Sequence, residues 1–368
     1  MRPPVPSYRL LESQEDLMEW LDRHANASRC AVDLEADNMH SYEEKLCLIQ
    51  MKAGGEIVLI DPFSIENVEA LKSFLDSREV WMHGADYDFS LFLRAFSWVP
   101  RQVFDTQVAA RLVGYRRFGL ASLMEECFDL EFCKKSQRED WSQRPLPQEM
   151  CDYAALDVEH LLELADLLLC KLEDTGRTKW FQESCEAART QAMERPMQEG
   201  REPWRINGSG KLSRRGLGYL EALWNWRDGK ARTRDVPAFK VLQNQWLIDW
   251  CLALEEGRPM PWPRRFNEQR KKQIQALVNP VKGLPKEELP EKLRGKRLAK
   301  DKGWDGRVAG MRKVRDAAAQ ELDVESSLIA PRWVIERLAS QPEEAEQLLL
   351  QWQRQLMRLD ENLLSPET

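Results

Sequence analysis

Three β-rich runs lie close together near the start of this chain: CAVDLEAD from Cys30, KLCLIQMKAG from Lys45 and EIVLIDP from Glu56. Only brief connections separate them, which predicts an antiparallel meander, and a meander needs cover for its apolar faces. The following residues supply that cover. IENVEALKSFLD has helical periodicity, EVWMHG is another apolar strand, and DYDFSLFLRAFS returns to helix. VFDTQVAARLVG, GLASLMEECFDL and the long PQEMCDYAALDVEHLLELADLLLCKLED also read as helices. Strands first in a meander, then alternating with helices, predict an α/β domain: a mixed sheet flanked by helices.

One core rarely grows past roughly 250–300 residues, so 368 residues imply two or three domains. A Gly-, Pro- and polar-rich boundary falls at PMQEGREPWRINGSGKL, and everything after it reads as helix. Within that tail, RDGKARTRDV at 227–236 and RDAAAQELDV at 315–324 share R-D-x-x-A-x-x-x-D-V at an offset of 88 residues. Such a repeat suggests two copies of one small helical domain, joined by the Pro- and Lys-rich NPVKGLPKEELPEKLRGKRLAKDKG. The expected domains are 1–195, 205–285 and 300–368.

No apolar run approaches the roughly 20 residues of a membrane span, and MRPPVPSYRL lacks the apolar segment of a signal peptide. Eight cysteines are scattered without a C-x-x-C pair, which suggests neither a zinc site nor a disulfide framework. The expectation is a soluble, cytoplasmic protein, a monomer in the simplest reading. Net charge −7 hides an asymmetry: residues 1–200 hold 37 acidic against 22 basic side chains, and residues 201–368 hold 24 against 32. An acidic module beside a basic one would suit a polyanionic partner, although solvated charged faces account for the same count.

The acids are placed unusually. Asp33 and Glu35 close the first apolar run, and side chains at i and i+2 of a strand share one face. Two carboxylates that close either sit in solvent or share a proton or a cation. Asp88 opens a helix just after EVWMHG, with Asp86 a competitor two residues earlier; Tyr153 and Asp157, in YAALD, share one helical face. His83 reads as a buried, satisfied histidine. If the four acids converge, hard oxygen ligands favour Mg²⁺ or Mn²⁺. Two such ions about 3.5–4 Å apart would clamp an in-line displacement at phosphorus. Tyr153 would orient the attacking water, since a phenol is too weak a base to do more. A glycosidase pair is excluded, because acids two apart on one strand face are too close to flank a bond.

The ordered set, Asp33-x-Glu35, then His83 to Asp88, then Tyr153-x-x-x-Asp157, resembles the three exonuclease motifs of the DEDD superfamily in its tyrosine branch, DEDDy. It is more specifically similar to the bacterial ribonuclease D family, with LCLIQ, LIDP, FDTQVAARLVG, GLASLMEE and the stretch from Lys134 to Leu146 in support. WNWRDGKARTRDVP looks like the helicase-and-RNase-D C-terminal (HRDC) domain, and the repeat fits a second copy. The resemblance implies a ribonuclease H-like fold and 3′→5′ hydrolysis of RNA by two divalent ions held by Asp33, Glu35, Asp88 and Asp157. It also implies trimming of structured RNAs such as tRNA precursors, and it selects Asp88 over Asp86. The family usually shows D-T-E-F where this chain has Asp33-Leu34-Glu35-Ala36, so contacts from positions 34 and 36 to the terminal nucleotide are not carried over.

Lys134, Lys135 and Arg138, with Trp141, form a candidate strand-binding edge; the alternative is a loop anchored by a buried Trp. In the tail, Arg227, Lys230, Arg232 and Arg234 form one basic cluster, and Arg264, Arg265, Arg270, Lys271 and Lys272 another. Such contacts raise affinity for phosphates without reading sequence. A DNA exonuclease remains an alternative, since the acids do not read the sugar. A fold retained only as an RNA-binding scaffold is the other, disfavoured because all four acids and the tyrosine are present.

Overall fold

The computed structural model describes residues 3–132, 139–194, 202–293 and 298–358. The chain forms two compact units, one from residues 1–36, 45–195 and 298–368, the other from 37–44 and 196–297.

The first unit is built on a six-stranded sheet: β1 (Tyr8–Leu11), β2 (Arg29–Ala36), β3 (Leu46–Ala53), β4 (Glu56–Ile60), β5 (Glu79–Met82) and β6 (Val103–Asp105), in the order β1-β4-β3-β2-β5-β6. The expected meander is present as antiparallel β2–β3–β4, while β5, β6 and β1 join in parallel. The helices are α1 (Gln14–Arg23), α2 (Glu69–Asp76), α3 (Asp86–Phe96), α4 (Thr106–Leu112), α5 (Leu120–Phe128), α6 (Gln148–Glu159), α7 (Leu161–Asp174) and α8 (Thr178–Glu194). The fold is therefore the mixed, helix-flanked α/β sheet expected.

Two details differ from the sequence reading. VFDTQVAARLVG does not begin as helix: Val103–Asp105 form β6, and Asp105 caps α4 by accepting from the Gln107 amide at 2.7 Å. The long helical stretch breaks at His160, where the Glu159 carbonyl accepts from Lys52 Nζ of β3.

Alternation along β2 sorts its side chains. Cys30, Val32 and Leu34 enter one apolar core, with α1, α2 and α3; Ala31 enters the other, with α6 and α7, and Asp33 and Glu35 point the same way. Ala154 and Ala155 of α6 are fully buried, so small side chains let the helix approach this face closely.

The second unit is helical: α9 (Arg214–Thr233), α10 (Ala238–Val241), α11 (Asn244–Glu255) and α12 (Glu268–Gly283) surround Leu220, Leu247, Trp250 and Ile274. The chain then returns to the first unit with α13 (Trp304–Glu321), α14 (Ser326–Ile329), α15 (Arg332–Leu338), α16 (Ala345–Leu348) and α17 (Gln351–Met357). These helices share the core of the six-stranded sheet. Trp352 stacks on Trp180 with centroids 5.0 Å apart, and Arg177 Nη2 donates to the Leu322 carbonyl at 2.8 Å. No helix among the described residues is long and apolar enough to cross a membrane.

The repeated sequence segments build the same local structure. Arg227 and Arg315 are both buried and donate to carbonyls fifteen residues on, Leu242 and Ala330, each at 3.1 Å. Asp235 and Asp323 then adopt left-handed backbone, φ 46° and 51°. The amides of Val236 and Val324 close the helix ends onto the Ala231 and Ala319 carbonyls.

Candidate active site

The acids at the end of β2 meet those of α6. One carboxylate oxygen each from Asp33, Glu35 and Asp157 lies within 4.8 Å of the others. Asp88, in the first turn of α3, is outside that trio but close enough to raise the Glu35 pKa by its charge. Asp88 is buried, whereas Asp86 is exposed and turned away from the core. Burial, more than any single neighbour, disfavours charge on all four: Asp33 is pushed up to about 6, and Glu35, Asp88 and Asp157 lie well above the usual carboxylate range. Repulsion adds to this, from Asp33 on each of the other three. Oxygen donors gathered against their own electrostatics, with no basic side chain among the described residues to offset them, fit one or more hard divalent cations.

Tyr153 lies one helical turn before Asp157 and hydrogen-bonds its carboxylate. Burial first, and the charges of Asp157, Glu35 and Asp33 after it, hold the phenol far above its ordinary pKa. Tyr153 thus stays protonated: its O–H donates to Asp157, and its lone pairs remain to accept from a water. Behind it Trp141 packs with ring centroids 6.2 Å apart.

Scaffolding residues to which the sequence assigns no chemical role hold these groups. The Asp105 carboxylate accepts from the Gly84 and Ala85 amides, both at 2.9 Å, and fixes the turn that launches α3 and Asp88. Gly84 has φ +74°, and a Cβ there would meet the Gln107 amide at 3.2 Å, so the turn requires glycine. His83 Nδ1 lies 2.9 Å from Thr106 Oγ1, which itself donates to the Met82 carbonyl, but Nε2 is buried with no hydrogen-bond partner among the described residues, so the expected satisfied histidine is met at one ring nitrogen only. Arg144 forks onto Asp61 at 2.6 and 2.8 Å and also donates to the Cys47 carbonyl at 2.7 Å, tying the chain before α6 to β3 and the end of β4. The sequence signal for this pair was an acid closing an apolar strand in LIDP, the pattern that marks Asp33 and Glu35.

The expected RNA-binding residues divide. Lys134, Lys135 and Arg138 lie outside the described residues. Trp141 is 1% exposed, so it anchors its loop in the core and offers no open face for a base. Arg227 is 4% exposed and committed to Leu242 and Asn244, which makes it a structural residue of the helical unit. Arg232 is exposed, but it donates to Tyr42 Oη at 3.2 Å and sits 3.8 Å from Asp228. Lys230 and Arg234 line a recess of about 300 Å³ with Trp226, Asn267 and Arg270. Burial, then the charges of Arg234 and Arg265, lower the Arg270 pKa, so these cations crowd one another. No carboxylate lines the recess among the described residues.

The chain is similar to known proteins over nearly its whole length. The 3′-5′ exonuclease family matches residues 8–173, and the HRDC domain family matches residues 217–254. The chain is 30% identical to the ribonuclease D of Gluconacetobacter diazotrophicus, over 95% of this chain and 90% of that one. The crystal structure of Escherichia coli RNase D, described as an exoribonuclease involved in structured RNA processing, superimposes with a TM-score of 0.72 at 26% identity, over 98% and 99% of the two chains. The catalytic core of RRP6 from Trypanosoma brucei shares the fold, with a TM-score of 0.61 at 22% identity over 77% and 82%.

Proposed function

Because the chain belongs to the ribonuclease D family and is a 3′-5′ exoribonuclease, we propose that Asp33, Glu35, Asp88 and Asp157 hold two divalent cations, Mg²⁺ or Mn²⁺, over the 3′-terminal phosphodiester. The observation that carries this reading is the convergence of the half-buried Asp33, Glu35 and Asp157 carboxylates within 4.8 Å on one face of the sheet. When bound, the cations supply positive charge to the attacking water and to the departing 3′ oxygen. The protein's own part is to position. Asp33 and Glu35 ride on a strand whose start pairs with β5 and which is held at both acids by β3, opposite Gln50 and Leu48. Asp157 is oriented by the Tyr153 hydroxyl, which also accepts from the attacking water and aims it at phosphorus. The products are a nucleoside 5′-monophosphate and an RNA one residue shorter.

The substrate class is RNA with a free 3′ end, tRNA precursors among them, and the setting a cytoplasmic monomer. The charge distribution supports a structured substrate. Residues 201–297 hold 22 basic against 11 acidic side chains, whereas residues 298–368 hold 10 against 13. The positive excess of the second half therefore sits in the helical unit, where Lys230, Arg234 and Arg270 would contact RNA phosphates without reading sequence.

The test is a 5′-labelled RNA with a 3′ tail, incubated with and without Mn²⁺ or Mg²⁺, beside matched DNA and 3′-blocked RNA. Shortening from the 3′ end of the open RNA, dependent on the cation and lost in Asp88→Asn, is the expected result. Cutting within the 3′-blocked RNA, or unchanged activity of Asp88→Asn, would overturn the assignment.

A further inference from the structure

Gln50 takes no part in the chemistry assigned to the acids and Tyr153, yet its placement needs an explanation. It is fully buried, and among the described residues neither its amide nitrogen nor its amide oxygen has a hydrogen-bond partner. It is the one residue among the described residues whose side-chain amide is buried with both atoms unsatisfied. Such a group costs about 1–3 kcal/mol, and packing supplies no reason to keep it. Every residue of β3 is buried, and Leu48, on the same face, is satisfied as a hydrocarbon. Lys52, also on that face, reaches the Glu159 carbonyl and Glu163.

The strand register suggests what Gln50 is for. It stands directly opposite Asp33 on β2 and opposite Leu59 on β4, so its side chain shares the face that carries Asp33 and Glu35 and that α6 covers. Paired residues across antiparallel strands have Cβ atoms about 4.5–5.5 Å apart, within reach of an amide on a two-methylene stem. A ligating carboxylate has lone pairs that face away from its cations, and in a buried site those need donors. Asp157 has the Tyr153 hydroxyl. Asp33 accepts from the Leu34 backbone amide, which leaves further lone pairs on its carboxylate.

We infer that Gln50 is a positioning residue of the metal centre. Its amide N–H donates to the Asp33 carboxylate when cations are bound, and its amide oxygen accepts from a water that enters with them. The inference rests on the four acids being cation ligands, and it adds a residue that touches neither cation nor RNA.

The test uses the full chain and Gln50→Met, which keeps the length of the side chain and removes both polar atoms. Two quantities are measured without RNA: the urea midpoint in chelator, and Mn²⁺ affinity by titration calorimetry or by the electron paramagnetic resonance of free Mn²⁺. The expected result is a variant at least as stable as the parent in chelator, with Mn²⁺ affinity about 10–100-fold weaker. Gln50→Leu should behave alike. Unchanged Mn²⁺ affinity in both variants would overturn the inference and leave the metal reading intact. Loss of the fold in chelator by both would also overturn it, because a group kept for the cations is not needed without them. A parent chain that takes up no Mn²⁺ would overturn the metal reading, and this inference with it.

Discussion

Asp33→Asn should make the metal-free protein more stable while abolishing hydrolysis, and the size of the gain follows from the site. Burial lifts the Asp33 pKa from 3.8 to about 6 in the folded chain. The unfolded chain keeps the ordinary value, so between these pH values the folded state binds more protons, and stability falls as pH rises through that window. The shift of about two units corresponds to about 3 kcal/mol, fully expressed at pH 8, about half expressed at pH 5 and nearly absent at pH 4. Asparagine never ionises and escapes this penalty. Urea unfolding of parent and variant in chelator, at pH 4, 5 and 8, reads it directly. The variant should lead by about 3 kcal/mol at pH 8, with the lead shrinking towards pH 4. Excess Mn²⁺ should reverse the order at pH 8, because only the parent keeps all its ligands. Equal stabilities in chelator at pH 8, or a lead independent of pH, would refute the view that these carboxylates are held against their own charge.

Three further outcomes are expected. Tyr153→Phe should lower kcat by about 100-fold with little change in RNA affinity, since the ring still packs on Trp141; single-turnover rates at saturating enzyme would read this, and normal turnover would remove the water-orienting role. Trp352→Ala, deleting a 3% exposed ring stacked on Trp180, should destabilise the nuclease unit by about 3–5 kcal/mol, and a loss under 1 kcal/mol in urea would contradict a shared core. Lys230→Glu with Arg234→Glu should weaken binding of structured RNA and flatten its salt dependence, by about one unit of log–log slope for each phosphate no longer neutralised. An unchanged slope in a filter-binding titration would take those residues out of the interface.

The fold was legible wherever its periodicity was long enough. The β2–β3–β4 meander shows because each strand has an uninterrupted apolar run, and β5 because EVWM precedes a helix. β1 and β6 escape notice at four and three residues, too short to display a period, and both join the sheet by parallel pairing to distant segments. The four acids and Tyr153 were legible as an ordered motif, although no spacing rule predicts which elements bring them together. Asp105, Arg144 and Gln50 lie in stretches that carry the family resemblance, FDTQVAARLVG, Lys134 to Leu146 and LCLIQ, but the residues alone assign them no role. Their work is to bond backbone amides, a carboxylate across the sheet, or a group that binds only with the cations, and a one-dimensional pattern does not display such partners. Lys134, Lys135 and Arg138 belong to the expected edge, and they fall outside the described residues.

A basic residue in a repeat is ambiguous in sequence, and the two copies of R-D-x-x-A-x-x-x-D-V show how the fold resolves it. Charge alone placed Arg227 in the RNA-binding cluster. Its counterpart Arg315 lies in a segment with no positive excess, yet it is buried in the same way and donates to the carbonyl fifteen residues on. A side chain kept in both copies, one basic and one not, serves what the copies share. That is the closure of a helical turn by a guanidinium bonded to a buried carbonyl. The residues that differ between the copies serve what is not shared. Lys230 and Arg234 of the first copy stand where the second has Ala318 and Leu322, and it is the first copy that gathers cations around a recess. The two repeated segments have thus diverged, with one set in the core of the first unit and the other gathering basic side chains around a recess. Arg227→Ala should therefore lower stability, whereas Arg234→Glu should lower RNA affinity and leave the unfolding midpoint nearly unchanged. The opposite pattern, read by urea unfolding and RNA titration on the same two variants, would refute the division.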